Sequence, residues 1–220
     1  MGAGCLDEDQ FRREIVRFGK WLYRLGYMPS TAGNLSVRLD ENRFLVTPTG
    51  ASKYLLRSAD LVVVDSEGRH LQGPRRATSE LAMHLAFYRE REDVQAVIHA
   101  HPPVATAFAC AGWALDELIC QEAAMTLGPV PLARYATTGT EEVAESLLPL
   151  IGDYDTVLLA NHGAVTCGPT LLNAFLKMET LEHVAQIRLA AQQLGGYNTL
   201  EQEQESELLR ARQRYLQNAF

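Results

Sequence analysis

Apolar residues recur near the start of the chain at alternating spacings of four and three: Phe11, Ile15, Phe18, Leu22 and Leu25. That period puts them on one face and predicts an amphipathic helix over residues 6–25, with Asp7 as N-cap and Gly26 ending it. The pattern then changes to short apolar runs. Residues 35–38, 44–47 and 61–65 read as strands, separated by Asp40-Glu-Asn42 and by a loop carrying Pro48 and Gly50, and Ser66-Glu-Gly68 reads as a turn. A helical period returns over residues 79–92, with Leu81, Leu85 and Tyr88 inward. Residues 94–99 form a further strand, and residues 103–111 a helix begun by proline in its first turn.

Residues 113–134 show no clear period. Thr140 then caps a helix over residues 141–151, where Glu141 and Glu142 suit the positive end of the dipole. Strands over residues 156–160 and 164–167 flank Asn161-His-Gly163. Thr170 starts a long helix whose predicted inner face is Leu172, Phe175, Met178, Leu181, Ala185 and Leu189. The tail from Leu200 is charged and helical, with glutamates at 201, 203, 205 and 207 as a solvated surface. The strands come in hairpin-like clusters rather than strict β-α-β alternation. One α/β domain over residues 1–220 is expected, with helices on the faces of a mostly antiparallel sheet.

Composition agrees with one continuous core: 220 residues, 47% of them hydrophobic. A net charge of −7, a pI near 5.4 and no evident basic patch argue against nucleic acid as a partner. A local pocket can still take an anion. Cys5, Cys110, Cys120 and Cys167 lie far apart with no Cys-x-x-Cys pair, the pattern of reduced thiols in a cytoplasmic protein rather than a disulfide scaffold or zinc ribbon. No apolar stretch of the kind that leads secretion or crosses a membrane is present, and Leu6 stands where an acylation signal at Gly2 wants serine or threonine.

The chemistry concentrates in a few short motifs. In His99-Ala-His101 two imidazoles at strand spacing point to one face, where the strand runs out into Pro102-Pro103. Unpartnered and buried, each would cost roughly 1–3 kcal/mol. A hydrogen-bonded core pair and a shared divalent metal both remove that cost. His162, between two strands, reads by itself as a turn histidine, and with the other two as a third nitrogen ligand. Three ligands and an open position suit a catalytic zinc. Glu80 reads either as a first-turn glutamate on the helix dipole or as a carboxylate beside the metal serving as general base. Gly33-Asn34, Thr47-Pro-Thr-Gly50 and Thr78-Ser79 supply hydroxyls and backbone amides for an anion, and are also ordinary turn residues. His70, His84 and His183 read as structural or exposed. No phosphate-binding P-loop and no Gly-x-Gly-x-x-Gly occurs, which leaves nucleotide binding and redox cofactors without a motif.

Taken in order, Gly33-Asn-Leu-Ser36, Thr47-Pro-Thr-Gly50, Thr78-Ser-Glu80, His99-Ala-His101 and Asn161-His-Gly163 resemble the class II aldolase/adducin family. Residues 133–140 add to the likeness, which runs from the first helix to about Leu194. The resemblance implies a three-layer α/β/α sandwich around a mostly antiparallel sheet, and a homotetramer with active sites between subunits. By resemblance, His99, His101 and His162 are metal ligands, for Zn2+ or else Mn2+, Fe2+ or Co2+, and Glu80 is the catalytic carboxylate. Asn34, Thr49, Gly50, Thr78 and Ser79 match phosphate-binding positions. Within the family the chain is most similar to aldolases cleaving ketose 1-phosphates of the L-fuculose 1-phosphate type. The implied products are dihydroxyacetone phosphate and a small aldehyde, formed through a metal-stabilised enediolate. Related 4-epimerases carry aspartate where Glu80 stands. The same site also serves methylthioribulose-phosphate dehydratases and decarboxylases of oxo-acid phosphates, and adducin heads keep the fold without activity. The chain departs from the pattern at residues 118–125, Leu-Ile-Cys-Gln-Glu-Ala-Ala-Met, which hold no aromatic where those aldolases place a tyrosine. Beyond residue 196 the tail offers Tyr197 and Tyr215 as candidates to close the site.

Overall fold

A computed structural model describes residues 8–219, and the reading of Asp7 as an N-cap falls outside them. The amphipathic period at the N-terminus forms α1 (Glu8–Arg24), which buries Ile15, Phe18 and Leu22. Gly26, at a φ of +80°, ends it: the Tyr27 amide turns back to the Leu22 carbonyl. A meander follows, β1 (Asn34–Arg38), β2 (Arg43–Val46), β3 (Val62–Asp65) and the exposed β4 (His70–Gln72). Then come α2 (Leu81–Glu90), β5 (Ala96–Ala100) and α3 (Pro103–Cys110). The stretch without a clear period holds α4 (Gln121–Thr126) and the two-residue β6 (Leu132–Ala133). The chain continues through α5 (Glu141–Ile151), β7 (Thr156–Leu159), β8 (Gly163–Gly168), α6 (Leu171–Gln193) and α7 (Gln202–Ala219).

The strands make one eight-stranded sheet in the order β4-β3-β2-β1-β5-β8-β7-β6. Its pairs are antiparallel except β6 with β7. Alternation along each strand feeds two cores. Leu35, Leu45, Val63 and Ile98 pack with α1, α3, α4 and α6 on one face. Phe44, Val64, Val97 and Val165 pack with α2 and α5 on the other. The result is a three-layer α/β/α arrangement with a mostly antiparallel sheet, and β1, β5 and β8 lie at its centre.

Two local expectations need correction. Of the inner face predicted for α6, Phe175, Met178, Leu181 and Ala185 are buried, but Leu172 and Leu189 are 50% and 38% exposed, and Leu171, Ala174 and Val184 also face inward. The apolar period misplaces the two ends of that face because this helix also buries polar groups with fixed partners. Lys177 donates to Asp155 and to the Cys167 carbonyl, and Glu182 accepts the free amides of Val104 and Ala105 at the start of α3. Thr140 holds the N-cap position of α5, but its hydroxyl donates back to the Thr137 carbonyl instead of capping. One strand goes beyond the reading of the sequence: β4, at the sheet edge, has no apolar alternation to announce it. No helix among the described residues is long and apolar enough to cross a membrane.

Candidate active site

The site forms where the central strands end. Asn34 opens β1 and pairs directly with His99 near the end of β5. On the other side, β8 pairs with β5 through Ala164 opposite Ala100, so the β7–β8 turn folds His162 back beside His101. That turn needs Asn161 in the left-handed region, at a φ of +57°, which asparagine tolerates better than most residues. Gly163 is required for space: an ideal Cβ there would lie 2.6 Å from the Ala100 carbonyl oxygen and 2.5 Å from His101 Cδ2.

The ring centroids of His99, His101 and His162 lie 4.6–5.3 Å apart. One nitrogen from each falls within 4.8 Å of the others, a group that could hold a metal ion. Glu80 sits at the N-cap of α2, yet its carboxylate makes no capping bond. Instead Oε2 lies 3.3 Å from His99 Nε2 and Oε1 lies 3.2 Å from His162 Nε2. Asn34 Nδ2 donates to Oε2 at 2.8 Å and Thr138 Oγ1 donates to Oε1 at 2.9 Å.

The donor set fits a divalent cation. His99 Nδ1 donates to the Ala164 carbonyl at 3.0 Å, which leaves Nε2 with a bare lone pair in a neutral ring. Fully buried, Nε2 has no hydrogen-bond partner. It faces a carboxylate oxygen, and two acceptors opposed without a proton call for a positive charge near them. Burial keeps the His99 and His101 rings neutral: it pushes His99 down to about 3 and His101 to about 4, against the upward pull of Glu80. For Glu80 burial acts upward, but the hydrogen bonds from His162 and Asn34 hold the carboxyl below the usual range.

Three loops are tied to one another beside Glu80. Thr47 Oγ1 accepts from the Leu35 amide, and Thr47 carbonyl accepts from the Thr78 amide, so the loops bearing Asn34, Thr49-Gly50 and Thr78-Ser79 stand side by side. The expected cradle of free amides is smaller than the sequence suggested. The Thr49 amide is spent on the Arg76 carbonyl and the Thr78 amide on Thr47. Hydroxyls and the exposed Gly50 and Ser79 remain for an anion.

Sequence reasoning missed Lys53 and Thr138 here, and read His84 only as structural or exposed. Lys53, 1% exposed, donates to the Thr31 and Ala51 carbonyls at 2.8 and 2.9 Å, tying two of these loops together. Burial lowers it to about 8, although Glu80 acts upward. Thr138 reaches Glu80 from the loop before α5. His84, fully buried on α2, meets both Ser36 and Asn34. The sequence does not mark these roles, because each depends on a distant partner: Thr31 for Lys53, Ser36 for His84 and Glu80 for Thr138 lie 22, 48 and 58 positions away.

Tyr197 is held elsewhere. Its hydroxyl donates to Glu117 and accepts from Arg188, tying the tail to α6. The Tyr215 side chain lies outside the described residues.

Residues 13–189 match the class II aldolase and adducin N-terminal domain, and the chain belongs to that family. It is 35% identical to a 5-deoxy-D-ribulose 1-phosphate aldolase of Bacillus thuringiensis serovar kurstaki, over 84% of this chain and 86% of that one. It is 38% identical to a 3-oxo-tetronate 4-phosphate decarboxylase of Haemophilus influenzae, over 79% of this chain and 84% of the relative. Among solved structures, an L-fuculose 1-phosphate aldolase superposes with a TM-score of 0.85 at 34% identity, covering 91% of this chain and 94% of that one. The chain is thus an enzyme of the class II aldolase type, a lyase.

Proposed function

We propose that this chain is a zinc-dependent aldolase that reversibly cleaves a ketose 1-phosphate, of the L-fuculose 1-phosphate type, to dihydroxyacetone phosphate and a small aldehyde. The observation that carries the reading is the Glu80 carboxylate set against His99 and His162, with His101 beside them. His99, His101 and His162 would hold the ion. Three imidazole nitrogens suit Zn2+ and also accept Mn2+, Fe2+ or Co2+. A bound divalent cation supplies Lewis acidity, lowering the cost of negative charge on the substrate's carbonyl oxygen.

The protein's own groups do the rest. In the synthetic direction Glu80 accepts the proton from the carbon of dihydroxyacetone phosphate that becomes the nucleophile; in cleavage it returns that proton. Glu80 is ionised at neutral pH, the form that acceptance needs. Asn34 and Thr138 fix the plane of the carboxylate by one hydrogen bond to each oxygen. Asn34, Thr49, Gly50, Thr78 and Ser79 bind the phosphate, and Lys53 lies under their loops as a cation. Phosphate binding, remote from the reacting bond, is spent on orienting the substrate. A homotetramer with sites between subunits, and a cytoplasmic location with reduced thiols, belong to the same reading. Among the described residues Cys110, Cys120 and Cys167 are free, and Cys5 lies outside them.

A second reading is decarboxylation of a 3-oxo-acid phosphate on the same site, favoured by the 38% identical relative. Both reactions pass through an enolate that needs the same charge stabilisation. Product analysis separates them: a panel of ketose 1-phosphates is offered, with dihydroxyacetone phosphate as the readout, beside 3-oxo-tetronate 4-phosphate with carbon dioxide as the readout. Dihydroxyacetone phosphate release supports the aldolase; carbon dioxide release without it overturns that reading for the decarboxylase.

A further inference from the structure

His84 takes no part in the chemistry above, yet it is fully buried beneath the site and fully bonded. The direction of every bond around it follows from one end. Asn34 turns its Nδ2 toward Glu80, donating to Oε2 at 2.8 Å. Asn34 Oδ1 then faces His84 Nε2, and that nitrogen must carry the proton. Burial lowers His84 to about 4, so the ring is neutral and Nδ1 accepts, from the Ser36 hydroxyl at 2.6 Å. Ser36 Oγ in turn accepts from the Tyr88 hydroxyl at 2.7 Å. Tyr88, Ser36, His84 and Asn34 thus form one line of donors ending on Glu80.

We propose that His84 is a positioning residue that makes Asn34 a donor only, giving one N–H to Glu80 and leaving the other for the substrate phosphate. An asparagine free to turn over would put its carbonyl oxygen against Glu80 and the phosphate, both anionic. His84 prevents this by occupying Oδ1 from below, where no water or substrate competes. The proposal rests on the reading of Asn34 as a phosphate-site residue.

The test is inorganic phosphate binding to the protein as purified, followed by 31P NMR, in a double-mutant cycle of His84→Met and Asn34→Ala. Each single change is expected to weaken binding about tenfold. The double variant should be no weaker than Asn34→Ala alone. His84→Gln, whose amide can still donate to Oδ1, should recover binding to within about threefold of wild type. Additive losses, or a His84→Gln protein as weak as His84→Met, overturn the proposal while leaving the phosphate reading intact. Loss of the fold in both His84 variants also overturns it, because the ring would then be core support. An Asn34→Ala protein that binds phosphate normally defeats the phosphate reading itself, and this proposal with it.

Discussion

Glu80 Oε2 and His99 Nε2 face each other at 3.3 Å, and the proton that could join them sits on the far side of the ring, bonded to the Ala164 carbonyl. A carboxylate and a neutral imidazole lone pair opposed in a buried site repel unless a cation lies close by. The strand register enforces the opposition: β8 supplies the carbonyl that fixes the tautomer, and β1 supplies the asparagine that holds the carboxylate.

Glu80→Gln keeps the shape and removes the charge. It should retain the metal and lose about 10²–10⁴ in turnover. Metal content and kcat on the best substrate check this together. A glutamine enzyme with wild-type kcat would take Glu80 out of the proton transfer.

Lys53 predicts a pH dependence. Its value falls from 10.5 to about 8 in the folded protein, so the ammonium under the loops proposed to bind phosphate is lost as pH rises through about 8. KM for the phosphorylated substrate should therefore climb between pH 7.5 and 9.5, by an amount that Lys53→Met abolishes while binding weakly throughout. Stability moves the opposite way. The unfolded chain holds this proton longer, so stability rises from about pH 8 toward 10.5 and is lost again as pH falls through about 8. A flat KM profile in the wild type would show that the ammonium does not reach the phosphate.

Gly163→Ala tests the close approach of the β7–β8 turn. The added Cβ meets the Ala100 carbonyl and the His101 ring, and the backbone must move. A loss of about 1–3 kcal/mol in unfolding free energy is expected. Metal affinity should fall too, because His101 is one of the groups displaced. Unchanged stability would mean the turn is looser than the packing indicates.

Much of this site was legible in the sequence, for identifiable reasons. His99 and His101 show because strand alternation is a strict period, and His162 because Asn-His-Gly marks a turn between two apolar runs. Glu80 is ambiguous in the sequence, since a glutamate at a helix start suits the dipole as well as a metal; its side chain makes no capping bond and lies against the rings of His99 and His162. Hidden from the sequence were His84, Lys53 and Thr138, whose roles come from contacts between distant segments. On α6 the apolar period finds Phe175, Met178, Leu181 and Ala185 but misplaces Leu172 and Leu189, because Lys177, Glu182 and Arg188 are buried among the apolar residues. The two-residue β6 is too short for any period to reveal.

The most direct test of the account is the metal content of purified protein, measured for wild type and for His99→Ala, His101→Ala and His162→Ala, with activity followed through chelation and reloading. The account predicts one divalent ion per wild-type chain, loss of the ion and of turnover in each variant that folds, and recovery of the chelated wild type on adding Zn2+. Full turnover in the chelated enzyme, or a His162→Ala protein that keeps both ion and activity, would contradict it.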